Sequence, residues 1–455
     1  MKRFNRDAVF LLFVLLLLFG CGGGGGSDSN GTSTPPVDDD TPAPAGVAAH
    51  INFVSATPNF IALKNTGGPA RSETSVIVFK VTDSDGNPVP NSIVEFALST
   101  QIGELSLSET QDVSDASGLV QTTVNSGSVA TEIKVQATVR DSNPAITVAS
   151  DTLIISTGLP DQNSISISTE TFNPEAWDYN NVEVPITFQA ADHFNNFVPD
   201  GTVVYFTTEL GSISESGVLV DGVCEVIWRS GDPRYANCPP DRVGLSTITA
   251  FLIGEESFFD TNSNAYFDPV DTFDEKTDMA PDAFRDDNGN SIRDECEPFW
   301  DYNTNGVYDD MPNGIYNGSL CSNEAEQQGL CTKELVYVRA EIKIVMSGSF
   351  ADTFTLSPST LDLRGGNSGT LVMTIADENG NPLPRGSEVN LSLSNGSVLG
   401  DNPFIIPNTL GRITYAVTIV PSKNDGTQGV ISATLTTPLD NKSFASNTVT
   451  VLDDN

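Results

Sequence analysis

The stretch Asp83-Ser84-Asp85-Gly86-Asn87-Pro88-Val89-Pro90 decides how this chain is read. It returns as Asp377-Glu378-Asn379-Gly380-Asn381-Pro382-Leu383-Pro384 and, in eroded form, as Asp192 to Pro199. Each copy reads as a hairpin turn: Asp-Gly and Asn-Gly supply the positive φ of primed turns, and the prolines suit an edge where no ladder donor is wanted. A strand follows each turn, with Val94 and Phe96, Val204 and Phe206, and Val389 and Leu391 on one face. Gly118, Gly222 and Gly411 each open a further strand. The last strand of each copy carries an apolar-x-Ala core: Val135 and Ala137, Ile248 and Ala250, Ile431 and Ala433. Around the first of these, Ile133, Val135, Ala137 and Val139 alternate with Glu132, Lys134, Gln136 and Thr138. That period of two is a half-buried β-strand. Repeats of roughly 100 residues built from short alternating strands predict an all-β chain of three tandem sandwiches, a rod.

The spacing of the copies locates an insertion. The first two turns stand 109 residues apart and the second two 185. Residues 255–334 fill the excess, between the strand at Ile248 and a returning strand at about Leu335 to Val345. This segment holds 20 of the chain's 60 acidic residues and only Lys276, Arg285, Arg293 and Lys333 as bases. It also carries Phe258, Phe259, Phe267, Phe273, Phe284, Phe299, Trp300, Tyr302 and Tyr308, too much apolar surface for a disordered acidic tail. It is expected to fold once cations neutralise it.

Within the insert, Phe-x-Asp-x-Asn-x-Asn-x-x-x-Asp occurs three times, from Phe258, Phe284 and Phe299. Oxygen donors at positions 1, 3, 5 and 9 of a tight loop, a main-chain carbonyl at 7 and a carboxylate at 12 converge on one hard cation. The first loop offers Asp260, Asn262, Asn264, the carbonyl of Tyr266, Asp268 and Asp271. The second offers Asp286, Asn288, Asn290, the carbonyl of Ile292, Asp294 and Glu297. The third offers Asp301, Asn303, Asn305, the carbonyl of Val307 and Asp309; it carries Gly306 at position 6, but Pro312 at position 12 cannot ligate. The cofactor expected is Ca2+, two to three ions. The loops resemble those of EF-hands, dockerins and thrombospondin type 3 repeats, and with no long amphipathic helix beside them the thrombospondin-like static array is the closer likeness.

The repeated turn, the Val-x-Phe strand, the glycine-led strand and the Val-x-Ala strand resemble bacterial Ig-like domains of the invasin and intimin type. The likeness covers most of residues 50–157, about half of the second copy and the third more loosely. It implies surface-exposed modules that space or present adhesive tips, without catalytic residues. A lipid anchor in place of a membrane barrel, and no lectin-like tip, set this chain apart from those proteins.

The N-terminus sets an expected address. Lys2, Arg3 and Arg6 precede an apolar run from Ala8 to Phe19, too short to span a bilayer, and Leu18-Phe19-Gly20-Cys21 resembles a bacterial lipobox in which Cys21 is lipidated. Gly22 in place of aspartate implies sorting to the outer membrane, with exposure at the cell surface expected. The domain plan is a signal peptide (1–20), a Gly/Ser/Pro-rich tether (21–48) on the order of 30 Å long, and sandwiches at 49–158, 159–347 (insert 255–334) and 348–455. The formal net charge of −38 repels nucleic acid.

Chemistry beyond cation binding finds little support. Besides Cys21 there are Cys224, Cys238, Cys296, Cys321 and Cys331, and Cys321 with Cys331 is the pairing expected at the insert's exit. Cys224 shares a face with Val226 and Trp228 and reads as a core thiol. His50 and His193, the two histidines, read as solvent-exposed, and Gly366-Asn367-Ser368-Gly369 has no histidine in its domain to activate the serine. An enzyme is not expected. Two functions remain: a lipid-anchored, calcium-stabilised surface rod presenting a binding face to a protein or polysaccharide, or a scaffold subunit of an envelope assembly that docks a partner through the insert.

Overall fold

The computed structural model describes residues 46–68, 71–235, 242–309, 312–422 and 428–453. The expected signal peptide, Cys21, the tether as far as Ala45, and Cys238 lie outside the described residues. The chain folds as tandem Ig-like β-sandwiches, each built around two facing, mainly antiparallel sheets, with parallel pairs between Phe60–Ala62 and Leu153–Ser156 in the first and between Thr360–Asp362 and Val449–Leu452 in the third. In the first, His50–Thr57, Thr74–Thr82, Leu119–Asn125 and Ser106–Leu107 face a sheet of Thr147–Ala149, Val135–Val139, Ile93–Leu98 and Gln111–Val113. The second sets Ile165–Thr169, Glu183–Ala190, Val223–Arg229 and Ser212–Ile213 against Ser216–Val218, Val203–Thr208, Leu245–Gly254 and Val336–Val345. The third repeats the scheme with Thr353–Ser357, Gly369–Ala376, Ile413–Val420 and Ser397–Leu399 on one side, and Glu388–Leu393 beside Gly429–Thr436 on the other.

The period-two reading translates into one shared register. Phe96 lies opposite Ala137, Phe206 opposite Ala250 and Leu391 opposite Ala433. Val94, Val204 and Val389 are all buried beside them. The small alanine opposite a large ring or Leu lets the two sheets close on each other without a void. Gly118 and Gly222 take positive φ just before their strands.

The repeated turn is not of the primed kind. Gly86 and Gly380 are the positive-φ residues of their copies, and Asn195 fills that role in the second; a type I′ turn needs two such residues. The leading aspartate does the rest. Asp83 Oδ1 accepts the amides of Asp85 and Asn87, Asp192 Oδ1 those of Phe194 and Asn196, and Asp377 Oδ1 those of Asn379 and Asn381.

The insert leaves the second sandwich at Gly254 and returns at Val336, and these two residues face each other at the end of a ten-pair antiparallel ladder. The insert therefore occupies the place of a hairpin turn. Inside it, regular structure among the described residues shrinks to two-residue ladders, a 3-10 turn at Glu275–Thr277 and a short α-helix, Asn323–Gln327, capped by Ser322 Oγ, which accepts the amide of Ala325.

The second and third sandwiches meet through polar contacts that fix their junction. Glu175 accepts hydrogen bonds from Thr437 Oγ1 (2.7 Å), the Leu439 amide (3.0 Å) and Asn441 Nδ2 (2.8 Å). Trp177 Nε1 donates to Glu378 at 2.6 Å, and Asn173 Nδ2 to the Leu383 carbonyl at 2.8 Å. Residues of the third-copy turn are thus spent on the junction. On the other side, the insert touches the first sandwich, where Tyr266 Oη donates to the Lys64 carbonyl at 3.0 Å.

Candidate metal centre

Two of the three loops are closed by a minimal β-ladder in place of helices. Phe258–Phe259 pairs with Thr272–Phe273 and brackets the first loop. Ala283–Phe284 pairs with Phe299–Trp300 and brackets the second; the third loop starts at Asp301, on the far side of the same ladder. The phenylalanines that recur with the loops pack beneath them. Phe258 and Phe284 are buried, and Phe299 is half-buried with the Arg293 guanidinium 4.6 Å over its ring.

The loops share one core hydrogen-bond scheme. At position 1, Asp260, Asp286 and Asp301 each receive the amide of position 5 on one oxygen and that of position 6 on the other. At positions 3 and 5, paired asparagines turn their amide groups onto Oδ2 of the position 9 aspartate: Asn262 and Asn264 onto Asp268 at 2.7 Å each, Asn288 and Asn290 onto Asp294, and Asn303 and Asn305 onto Asp309 at 2.5 and 3.0 Å. The residues at position 6 all take positive φ: Gly306, but also Ala265 and Ser291, for which that conformation is unfavourable.

These residues fit a hard cation. Side chains from positions 3, 5 and 9 converge on one point, and rotating each asparagine amide by half a turn replaces two N–H donors there with two oxygens. Oxygen-only donor sets select Ca2+ or Mg2+ over zinc. Among the described residues no three His, Cys, Asp or Glu side chains gather closely enough to hold an ion by themselves, so an ion here depends on the asparagine and main-chain oxygens. The amide of Val270, donating to Asp268, holds that carboxyl below its usual range, with Asn262 and Asn264 adding to the effect.

A carboxylate braces each loop from the side. Asp271 accepts the amides of positions 2 and 9, Thr261 and Asp268, at 2.7 and 2.9 Å. Glu297 accepts those of Asp287 and Asp294 at 2.8 and 2.9 Å. In the third loop Pro312 is exposed, and Tyr302 and Asp309 donate instead to Asp282, at 2.7 and 2.9 Å. Sequence spacing does not find Asp282, which lies in no loop motif.

The second loop is bolted to the sandwich. Thr247 Oγ1 donates to the Asp286 carbonyl, Thr249 Oγ1 to Glu341 at 2.7 Å, and Arg285 Nη1 to the Thr208 carbonyl at 2.7 Å while its guanidinium pairs with Asp287. Phe251 packs at a tilt against Trp300, ring centroids 4.6 Å apart, and stacks on Tyr205 at 5.6 Å. Burial raises the Glu341 carboxyl, and burial with the Asp287 charge pushes Glu209 up to about 7.

Cys321 and Cys331 form a disulfide that ties the insert's short helix to its last strand, and Cys296 is also disulfide-bonded. Cys224 is a free, buried thiol beside Val226 and Trp228. His50 is exposed, whereas His193 corrects the expectation of a solvent-facing side chain. His193 is stacked 4.4 Å from Phe258 of the insert, with Nδ1 3.1 Å from Asp161. The turn that carries it is clamped where the first sandwich, the second and the insert meet, which sequence position alone does not disclose. Beside it Glu255 is fully buried and raised to about 7, chiefly by that burial, with one carboxylate oxygen held by Ser319.

No protein-family model and no curated protein matches the chain. Among solved structures it is similar to the D0–D1 domains of intimin, with 18% identity over 44% of this chain and 90% of that one and a TM-score of 0.20. It is also similar to invasin, a bacterial integrin-binding protein (12% identity, 89% of this chain and 60% of that one, TM-score 0.24). A third is FdeC, an Escherichia coli adhesin (13% identity, 90% and 99%, TM-score 0.30).

Proposed function

We propose that this chain is a lipid-anchored protein of the bacterial outer-membrane surface whose Ig-like sandwiches, stiffened by calcium in the insert, present a binding face for adhesion. The observation that carries this reading is the threefold cradle. Asp260, Asn262, Asn264 and Asp268, and their counterparts from Asp286 and Asp301, share one core hydrogen-bond scheme although position 6 differs each time. Bound calcium supplies charge neutralisation to a segment that carries five acids for each base. At a dissociation constant near 10 µM and about 1 mM calcium, each ion stabilises the fold by roughly 2.7 kcal/mol. The cradles sit between the first two sandwiches and on the outer face of the second, so what the ions stiffen is the joint and not a tip. The ligand is a protein or polysaccharide on another cell or matrix, met by the sandwiches beyond the joint.

Trypsin treatment of intact cells, with and without chelator, tests both halves of this reading. An antibody to the third sandwich is expected to lose its antigen from intact cells, and chelator is expected to open fast cleavage after Lys276 and Arg293. Antigen lost only after lysis removes the surface assignment and favours an inward-facing scaffold. Cleavage in the insert at equal rates in both conditions removes the calcium assignment.

A further inference from the structure

The third loop lacks a ligand at position 12 in its own sequence, and the β-registers show what takes its place. Phe259 pairs with Thr272 in the first ladder, so the next pair brings Asp260, position 1, opposite Asp271, position 12. Phe284 pairs with Phe299 in the second ladder; two steps on, Asp286 stands opposite Glu297. At the other end of that ladder Ala283 pairs with Trp300, and the next step brings Asp301, position 1 of the third loop, opposite Asp282. The same cross-strand place is thus filled by a carboxylate three times, twice from within the loop and once from the neighbouring strand.

We infer that Asp282 is the missing calcium ligand of the third loop, supplied across the ladder from 19 residues before Asp301. Its two oxygens brace the position 2 and position 9 amides at the same distances, 2.7 and 2.9 Å, as Asp271 does in the first loop. The side chain is the same length as that of Asp271, which takes the same place in the first loop. Asp282 is fully buried, and Arg339 Nη1 fixes its main chain through the Asp282 carbonyl at 3.1 Å. A buried carboxylate with no cation opposite it is costly; an ion in the loop offsets that cost. One ladder of four residues then carries a calcium site at each end, and the third loop cannot bind without the strand that opens the second.

This inference rests on the calcium reading above, and its test separates the two. Calcium is titrated calorimetrically into the chelator-stripped protein and into its Asp282→Asn, Asp309→Asn and Asp282→Asn/Asp309→Asn variants. Wild type is expected to bind three ions. Asp282→Asn is expected to lose one, or to weaken it at least about tenfold, and the double variant is expected to match Asp309→Asn. Terbium emission excited through Trp300, adjacent to Asp301, should fall in the same variants. Three unchanged sites in Asp282→Asn overturn the inference and leave calcium binding intact; no heat from wild type overturns both. Should Asp282→Asn fail to fold, terbium-soaked crystals of the wild-type protein decide. An ion about 2.3–2.6 Å from an Asp282 oxygen supports the assignment, and an ion in the third loop out of its reach overturns it.

Discussion

The strands Val135–Val139 and Leu245–Gly254 hold the same place in their sandwiches, yet water meets them differently. In the first, burial alternates along the strand, as the sequence period requires. In the second, seven consecutive residues from Ser246 to Leu252 are buried, because the insert covers the face that points to water in the first copy. Thr138 in one copy becomes Phe251 in the other, and Gln136 becomes Thr249. The second sandwich thus gains a second core on its outer face, where the insert packs over a ten-pair ladder that stands in place of the three-pair ladder of the first copy. What differs is chemistry: the inner face is mainly apolar, and the outer one mixes aromatic packing with threonine hydroxyls that bond Glu341 and the Asp286 carbonyl.

Substitution at the paired positions measures that difference. Phe251→Ala, which removes a ring packed on Trp300, is expected to cost about 3–5 kcal/mol, read as the loss of hydrogen-exchange protection along Leu245–Gly254. Thr138→Ala should stay within about 0.5 kcal/mol. Equal losses at both sites would mean that the insert contributes no packing to its host. Next in size is Thr249→Val, which leaves Glu341 short of a donor and should cost about 1–2 kcal/mol; Gln136→Val, its exposed counterpart, should cost almost nothing.

A further effect is one of pH. Glu256, buried where the insert begins, is pushed up to about 8 by burial, against donors from the Met279 and Asn317 amides. Its folded form holds a proton that the unfolded chain releases above about 4.5. The stability it contributes is complete below that value and is lost as pH rises through 8. In chelator, the melting temperature of the wild type should therefore fall between pH 5.5 and 8.5, and Glu256→Gln should make the fall shallower. An unchanged slope in that variant would place the titration elsewhere, with Glu255 the first candidate.

The sandwiches were legible because their signals are local. The Asp-x-x-Gly turn and the Phe–Ala facing pair each need only a few neighbouring residues, and the Val-x-Ala period reads the same in all three copies. The loops were legible for the same reason: positions 1, 3, 5 and 9 lie within one turn of chain. What the sequence conceals is whatever is completed from a distance. Thr247 and Thr249 look like solvent-facing polar residues until the insert lies over them. His193 looks like part of an exposed turn until Phe258 stacks on it. Asp282 belongs to no spacing, because a β-register and not a loop brings it to its place. The turn type was also beyond composition, since Asp-x-x-Gly serves both the primed turn expected and the single left-handed residue found.

The insert begins and ends at facing residues, Gly254 and Val336, at the far end of a ten-pair ladder from Val345, where the chain passes on to the third sandwich. Tension pulled through the chain from that side reaches the ladder at Val345 first and must strip its pairs in sequence before it arrives at Val336. The loops are thus mechanically shadowed from that end: force entering at Val345 would strip the host strand before it reached the insert through Val336.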